Sequence, residues 1–169
     1  HEYFATTLGH LANHYRRRGQ YVQADSLLKE SQNIREGIFG KNHTAYSVSL
    51  FSKAQSYISN GQFSKALPLL KEALIIREKL LGKMHPDYIN IQLSLANLYK
   101  ETREYQASLE LYLDCLKNSE KTLGKDHPEY SDIQYGLADL YEITHQYKKA
   151  ASLLIELRQR YKSRLLKNI

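Results

Sequence analysis

The sequence predicts an all-α chain, a solenoid built from four helical hairpins. Three observations predict it. The first is a period of 42 residues held in register across the chain: Gly40, Gly82 and Gly124, His43, His85 and His127, Tyr15, Tyr57, Tyr99 and Tyr141, and Ala12, Ala54, Ala96 and Ala138 all keep that step. A fixed period in the range of about 20–50 residues is the signature of one supersecondary unit stacked on copies of itself. The second is helical spacing inside each period, as in Leu95, Ala96, Leu98 and Tyr99. The third is punctuation, with Pro at helix starts and Gly at helix ends.

The 169 residues divide into approximate units 1–42, 43–84, 85–126 and 127–169 of a single array. The third shows the logic. Pro86 suits the first helical position, where its missing N–H leaves no bond unmade. Asp87 beside it favours the positive end of the helix dipole. The first helix runs to about Arg103, a short turn follows, and Tyr105 opens a second helix with Ser108, Leu109, Tyr112 and Leu116 inward. Gly124 ends that helix, and Lys125-Asp126-His127-Pro128 links to the next unit.

The other units repeat these columns. Ala12, Ala54, Ala96 and Ala138 fall in the first helices, and Ala24, Ala66, Ser108 and Ala150 fall near the start of the second. Small residues there let paired helices approach, and a larger one overpacks the contact. Tyr21, Phe63, Tyr105 and Tyr147 form an aromatic column at the turn. The departures are Lys53 in a column otherwise held by Leu11, Leu95 and Leu137, and Arg103 and His145 where Gly19 and Gly61 stand. Those two turns are expected to be strained or differently shaped. The last helix departs too. Leu165 keeps the apolar column but Leu166 replaces the terminal glycine, while Arg158, Arg160, Lys162 and Arg164 supply the polar outer face that a capping helix needs. The array is therefore expected to end at the fourth unit. At the other end, His1 falls in the histidine column, as a piece of a longer array would begin.

Composition narrows the class. The chain is 42% hydrophobic and 25% charged, and no apolar run approaches the roughly 18 residues of a membrane span. One cysteine, Cys115, cannot form an internal disulfide, which suits a reducing cytoplasm. At core spacing on a second helix, it is expected to be buried and structural. Three histidines spread one per unit do not converge on a metal, and the glycines stand singly, without a phosphate-cradling loop. No catalytic constellation and no cofactor site is expected. The net charge of +6 gathers in Arg16-Arg17-Arg18 and in the last helix.

In the second unit, Leu50, Ala54, Tyr57, Gly61, Phe63, Ala66 and Leu70 resemble the large-small-aromatic and Gly-aromatic-Ala signature of the tetratricopeptide repeat family. The likeness recurs four times in one register. These units are longer than the usual one of about 34 residues. The additional length lies in the second helix and link, as in Leu81-Gly82-Lys83-Met84-His85-Pro86-Asp87-Tyr88. That long form is similar to the repeats of kinesin light chain, and to bacterial arrays that precede a caspase-like CHAT protease domain. The resemblance implies a right-handed α-α superhelix whose first helices line a concave groove. It implies a noncatalytic module that binds a peptide or protein segment.

The face opposite the Leu, Ala and Tyr columns then gives the candidate groove: Asn13 and Arg16, then Phe51, Gln55 and Ile58, then Leu93, Asn97 and Lys100, then Tyr135, Asp139 and Glu142. Asn13, Gln55 and Asn97 make a ladder of amides that can pair with a peptide backbone. Phe51 and Tyr135 among polar neighbours resemble binding hot spots. Charge runs from Arg16 and Arg17 to Asp139 and Glu142, which would orient a ligand. Clamps of the family that read chaperone C-termini carry Lys in the column of Gly9, Phe51, Leu93 and Tyr135, so that specificity is not expected. The alternatives are a regulatory region of a larger enzyme of the CHAT type, and nucleic-acid binding through the basic last helix. The second is disfavoured because the groove carries charge of both signs. Self-association through open array ends is a further possible contact.

Overall fold

The computed structural model describes residues 1–167, with side chains through Ser163. The side chains of Arg164, Leu165 and Leu166, invoked above for the cap, lie outside the described residues. The described residues form eight helices and no strand: α1 (Glu2–Arg17), α2 (Tyr21–Phe39), α3 (Thr44–Ser59), α4 (Phe63–Leu81), α5 (Pro86–Glu101), α6 (Tyr105–Thr122), α7 (Pro128–Ile143) and α8 (Tyr147–Lys167). They fall into two compact units, His1–Lys83 and Met84–Ile169, each holding two hairpins.

The first unit packs α1 on α2, α3 on α4, and α2 on α3. Ala12, Ala24, Ala54 and Ala66 are fully buried at these contacts, as the small-residue columns require. Leu28, Leu50 and Leu70 fill the space between them. Polar ties cross the same core. Ser31 Oγ donates to the Ala5 carbonyl at 2.7 Å, and the buried Arg77 Nε donates to Ser47 Oγ at 2.5 Å.

The second unit repeats the scheme with α5 to α8. Ala96, Ser108, Ala138 and Ala150 are buried. Ser108 Oγ satisfies itself on the Ala96 carbonyl at 2.8 Å, so a hydroxyl is tolerated where the other units have a methyl. Cys115 is fully buried in the same core, its thiol pushed up by burial.

All four hairpin turns have one construction. In the first, the Gln20 N–H bonds the Tyr15 carbonyl and the Gly19 N–H bonds the Arg16 carbonyl. The same pair of bonds recurs at Tyr57–Gln62, Tyr99–Glu104 and Tyr141–Gln146. This is the Schellman pattern, which needs a left-handed residue one position past the helix cap. Gly19 and Gly61 supply it with φ of 73° and 68°, and Arg103 and His145 supply it with φ of 64° and 60°. The two non-glycine turns keep the shape of the glycine turns, at the steric cost of a Cβ in the left-handed region. The link glycines differ, since Gly40 and Gly82 combine positive φ with extended ψ and so lead the chain away from the helix.

The histidine column has a role that its periodicity did not reveal. His43, His85 and His127 are N-caps of α3, α5 and α7. Each ring accepts at Nδ1 from the backbone N–H two residues on, at 3.1 Å from Ala45, 3.1 Å from Asp87 and 3.2 Å from Glu129. An imidazole thereby satisfies one of the unpaired donors of the first turn, as a Ser or Asp side chain would.

Candidate functional site

In the first unit, α1 and α3 bring four of the predicted residues together. Asn13 and Arg16 from α1 and Phe51 and Gln55 from α3 line a cavity of about 310 Å³. Ile58 lies further along α3, half-buried and outside that wall. Arg16 spans the two helices. Its guanidinium holds the Asn13 side-chain carbonyl at 2.6 and 3.2 Å and donates to Ser59 Oγ at 2.8 Å. The acceptor end of Asn13 is thus engaged within the protein.

The second unit presents the corresponding face on α5 and α7. Leu93 and Lys100 are half-buried, while Asn97, Tyr135, Asp139 and Glu142 are exposed. Lys100 Nζ pairs with Asp139 across the two helices, so those opposite charges neutralise each other. Asn97 accepts from the hydroxyl of Tyr112, whose ring is fully buried. Burial, with Asp139 nearby, pushes the Tyr112 phenol far above its ordinary range and keeps it a donor. Asn97 is therefore an internal acceptor as well as a surface amide. The even charge gradient expected from the sequence is reduced, because Asp139 is already paired and Glu142 alone of the two acids retains an exposed position without that partner.

Two groups escaped the periodic reading. Arg35 on α2 is 7% exposed and reaches the first-unit cavity from below, donating to Ser49 Oγ at 3.0 Å and Thr6 Oγ1 at 3.3 Å. Burial lowers its guanidinium from the ordinary value, with Glu2 opposing. A buried charge on a second helix has no counterpart in an apolar-polar pattern, although the recurrence of Arg at 35 and 77 was a visible signal. The other is Arg160. It was expected on the solvated outer face of α8, yet it turns inward, bonding the Lys125 carbonyl and Gln134 Oε1 at 2.9 Å each and lying 5.0 Å over the Tyr130 ring. Gln134 is buried, and the long arginine reaches it from the column that Ile76 and Asn118, both buried, hold in the two preceding units.

These hairpins, with their shared turns and small-residue seams, define a helical-repeat protein. The tetratricopeptide repeat family profile matches residues 3–79, 49–121 and 87–163. The chain belongs to the tetratricopeptide repeat family. No curated protein matches the sequence. Among solved structures, a Podosopora anserina protein described as having kinesin light chain nearly identical TPR-like repeats superposes with a TM-score of 0.82 at 29% identity, over 92% of this chain and 74% of that one. BtubC (BKLC) from P. vanneervenii gives 0.83 at 15% identity over 94% of this chain, which spans 63% of its length. A single-substitution form of the Podosopora protein gives 0.63 at 23% identity, over 95% of each chain. The fold is the all-α tetratricopeptide solenoid, and its structural neighbours are kinesin light chain-like.

Proposed function

We propose that this chain is a noncatalytic binding module for a peptide or protein segment, held on the first-helix faces of its hairpins. One observation carries the reading. The α1–α3 face sets an aromatic ring, an amide pair and a guanidinium around an open cavity, and Phe51 stays half-exposed there instead of joining the core. Apolar cavities with a few placed polar groups are what extended ligands use for anchoring and orientation. The second-unit face adds the exposed Tyr135, one turn before Asp139 on α7, whose carboxylate pairs with Lys100. Membership of a family whose repeats generally mediate protein contacts supports the same reading. The free thiol of Cys115 suits a cytoplasmic setting.

The test is selection of binders from a phage-displayed peptide library, followed by mapping of backbone amide shifts in the labelled protein. Selected peptides are expected to move the amides of Asn13, Phe51 and Gln55 and to bind Phe51→Ala at least about tenfold more weakly, the scale of losing an aromatic anchor. Shifts confined to α2, α4, α6 and α8 would place binding on the second helices and refute the reading.

A further inference from the structure

The hairpin corners of the first unit enclose another cavity, of about 200 Å³, between the start of α2 and the end of α3. It shares no lining residue with the α1–α3 cavity, so the two sites stand or fall separately. Tyr21 and Tyr57 line it, and the Tyr21 hydroxyl is fixed on the Ser59 carbonyl at 2.8 Å. Val22, 83% exposed, gives it an apolar rim. Asp25 brings a carboxylate to the wall. Its Oδ1 is buried, and no hydrogen-bond donor among the described residues reaches it. Burial, and then this neighbouring carboxylate, raise the Tyr57 phenol above its ordinary value. A buried polar oxygen left without a donor is costly, and such groups are ordinarily paired.

The equivalent corner two periods later lacks this chemistry. Tyr105 and Tyr141 keep the tyrosines, but Leu109 and Leu140 stand where Asp25 and Ser56 do, and the cavity shrinks to about 70 Å³. A water molecule takes about 30 Å³, so that corner has room for two, while the first admits the head and part of the stem of a side chain. The carboxylate and the space arrive together, and the repeat requires neither. Lys65 also lines the first corner, with its Nζ 5.5 Å over the Tyr57 ring. Lys149 lies in the same way 5.2 Å over Tyr141, beside Leu109 instead of an acid. The lysine therefore follows the tyrosine, and Asp25 Oδ1 remains unbonded in its presence.

We propose that this corner binds a primary alkylammonium, which donates an N–H to Asp25 Oδ1 and lays its methylenes against Val22 and the tyrosines. An ammonium is a compact charge with three rotatable donors on a flexible stem, which suits a single recessed oxygen; the fork of arginine asks for two. Tyrosine rings attract the same charge. The head group comes from a lysine side chain or from a free alkyl diamine, and the chemistry at Asp25 is the same for both.

The experiment titrates three probes into isotope-labelled protein: Ac-Lys-NHMe, diaminobutane, and the neutral isostere Ac-norleucine-NHMe. The Asp25 carboxyl carbon and the backbone amides of Val22 and Tyr57 are followed, with the amides of Gln106 and Tyr141 as the internal control. At millimolar concentration at least one amine should move the first three signals and leave the control pair still. The neutral probe should bind at least about tenfold more weakly, the scale of one charge-assisted hydrogen bond. Asp25→Asn should weaken amine binding by the same factor at an unchanged thermal midpoint, because Oδ1 gives up no bond. Lys65→Gln should bind about two- to fivefold more tightly, the gain from removing a nearby like charge. The tighter of the two amines identifies the source of the head group.

Silence toward both amines, equal binding of the neutral probe, undiminished binding to Asp25→Asn, or equal movement of the control pair overturns the site. A collapsed midpoint in Asp25→Asn would make the carboxylate a structural partner and overturn it as well. Binding seen only in Lys65→Gln would make Lys65 the occupant and remove the external ligand.

Discussion

Gly136 on α7 lies directly beneath the ring of Tyr112 on α6. A Cβ at Gly136 would sit 2.6 Å from Tyr112 Cε1 and 2.7 Å from its hydroxyl oxygen, inside any van der Waals contact. The ring has nowhere to go, since it is fully buried and its hydroxyl is tied to Asn97. Gly136→Ala gains roughly 1 kcal/mol of helix propensity but overpacks the seam at about 1–3 kcal/mol. A net loss of stability is expected in denaturant unfolding. Gly9→Ala is the control, because open space surrounds its Cβ position. It should stabilise by roughly 0.5–1 kcal/mol. Equal behaviour of the two variants would contradict the packing described for Tyr112.

Asn97→Ala removes the acceptor of the Tyr112 hydroxyl. The phenol would then be buried beside an empty position, at a cost of about 1–3 kcal/mol. Melting should fall accordingly, and Tyr112→Phe in the same background should recover most of the loss. An unchanged melting temperature for Asn97→Ala would make that amide a surface group only.

Arg103 holds the left-handed corner that glycine holds in the first two turns. Arg103→Gly relieves the Cβ contact, worth roughly 1–2 kcal/mol, against the greater freedom of glycine in the unfolded chain. A stabilisation of up to about 1 kcal/mol is expected, read as a raised thermal midpoint. A lower midpoint would show that the corner carries no strain.

His127→Ala deletes the ring nitrogen that caps α7. The loss should be about 0.5–2 kcal/mol, and His127→Asn should restore most of it, because asparagine supplies an oxygen in nearly the same place. Equal stability of the alanine and asparagine variants would mean that the histidine column serves the link in some other way.

The packing was legible in the sequence because it depends on residue size at fixed intervals. Ala12, Ala54, Ala96 and Ala138 announced their seams by periodicity, and all four are buried. The site was less legible, since angular position on a helix says where a side chain starts and not how far it reaches. Lys100 was placed on the open face by spacing, and its amine travels to Asp139 on the neighbouring first helix. Arg160 was assigned to solvent and instead extends to the Lys125 carbonyl. Arg35 was passed over because a charge is expected outside, whereas its guanidinium lies inside, bonded to the hydroxyls of Ser49 and Thr6. The histidine caps were missed for a related reason: an acceptor nitrogen serves where an oxygen is the usual sign.

Within each unit, the helix pairings join elements that are neighbours or next neighbours along the chain. Each turn closes through hydrogen bonds spanning no more than one corner. Contacts so local lose little chain entropy on forming, and topologies of this kind assemble quickly. During synthesis, a hairpin can thus close as soon as its second helix clears the ribosome and offer its side to the next hairpin to emerge, without waiting for distant sequence.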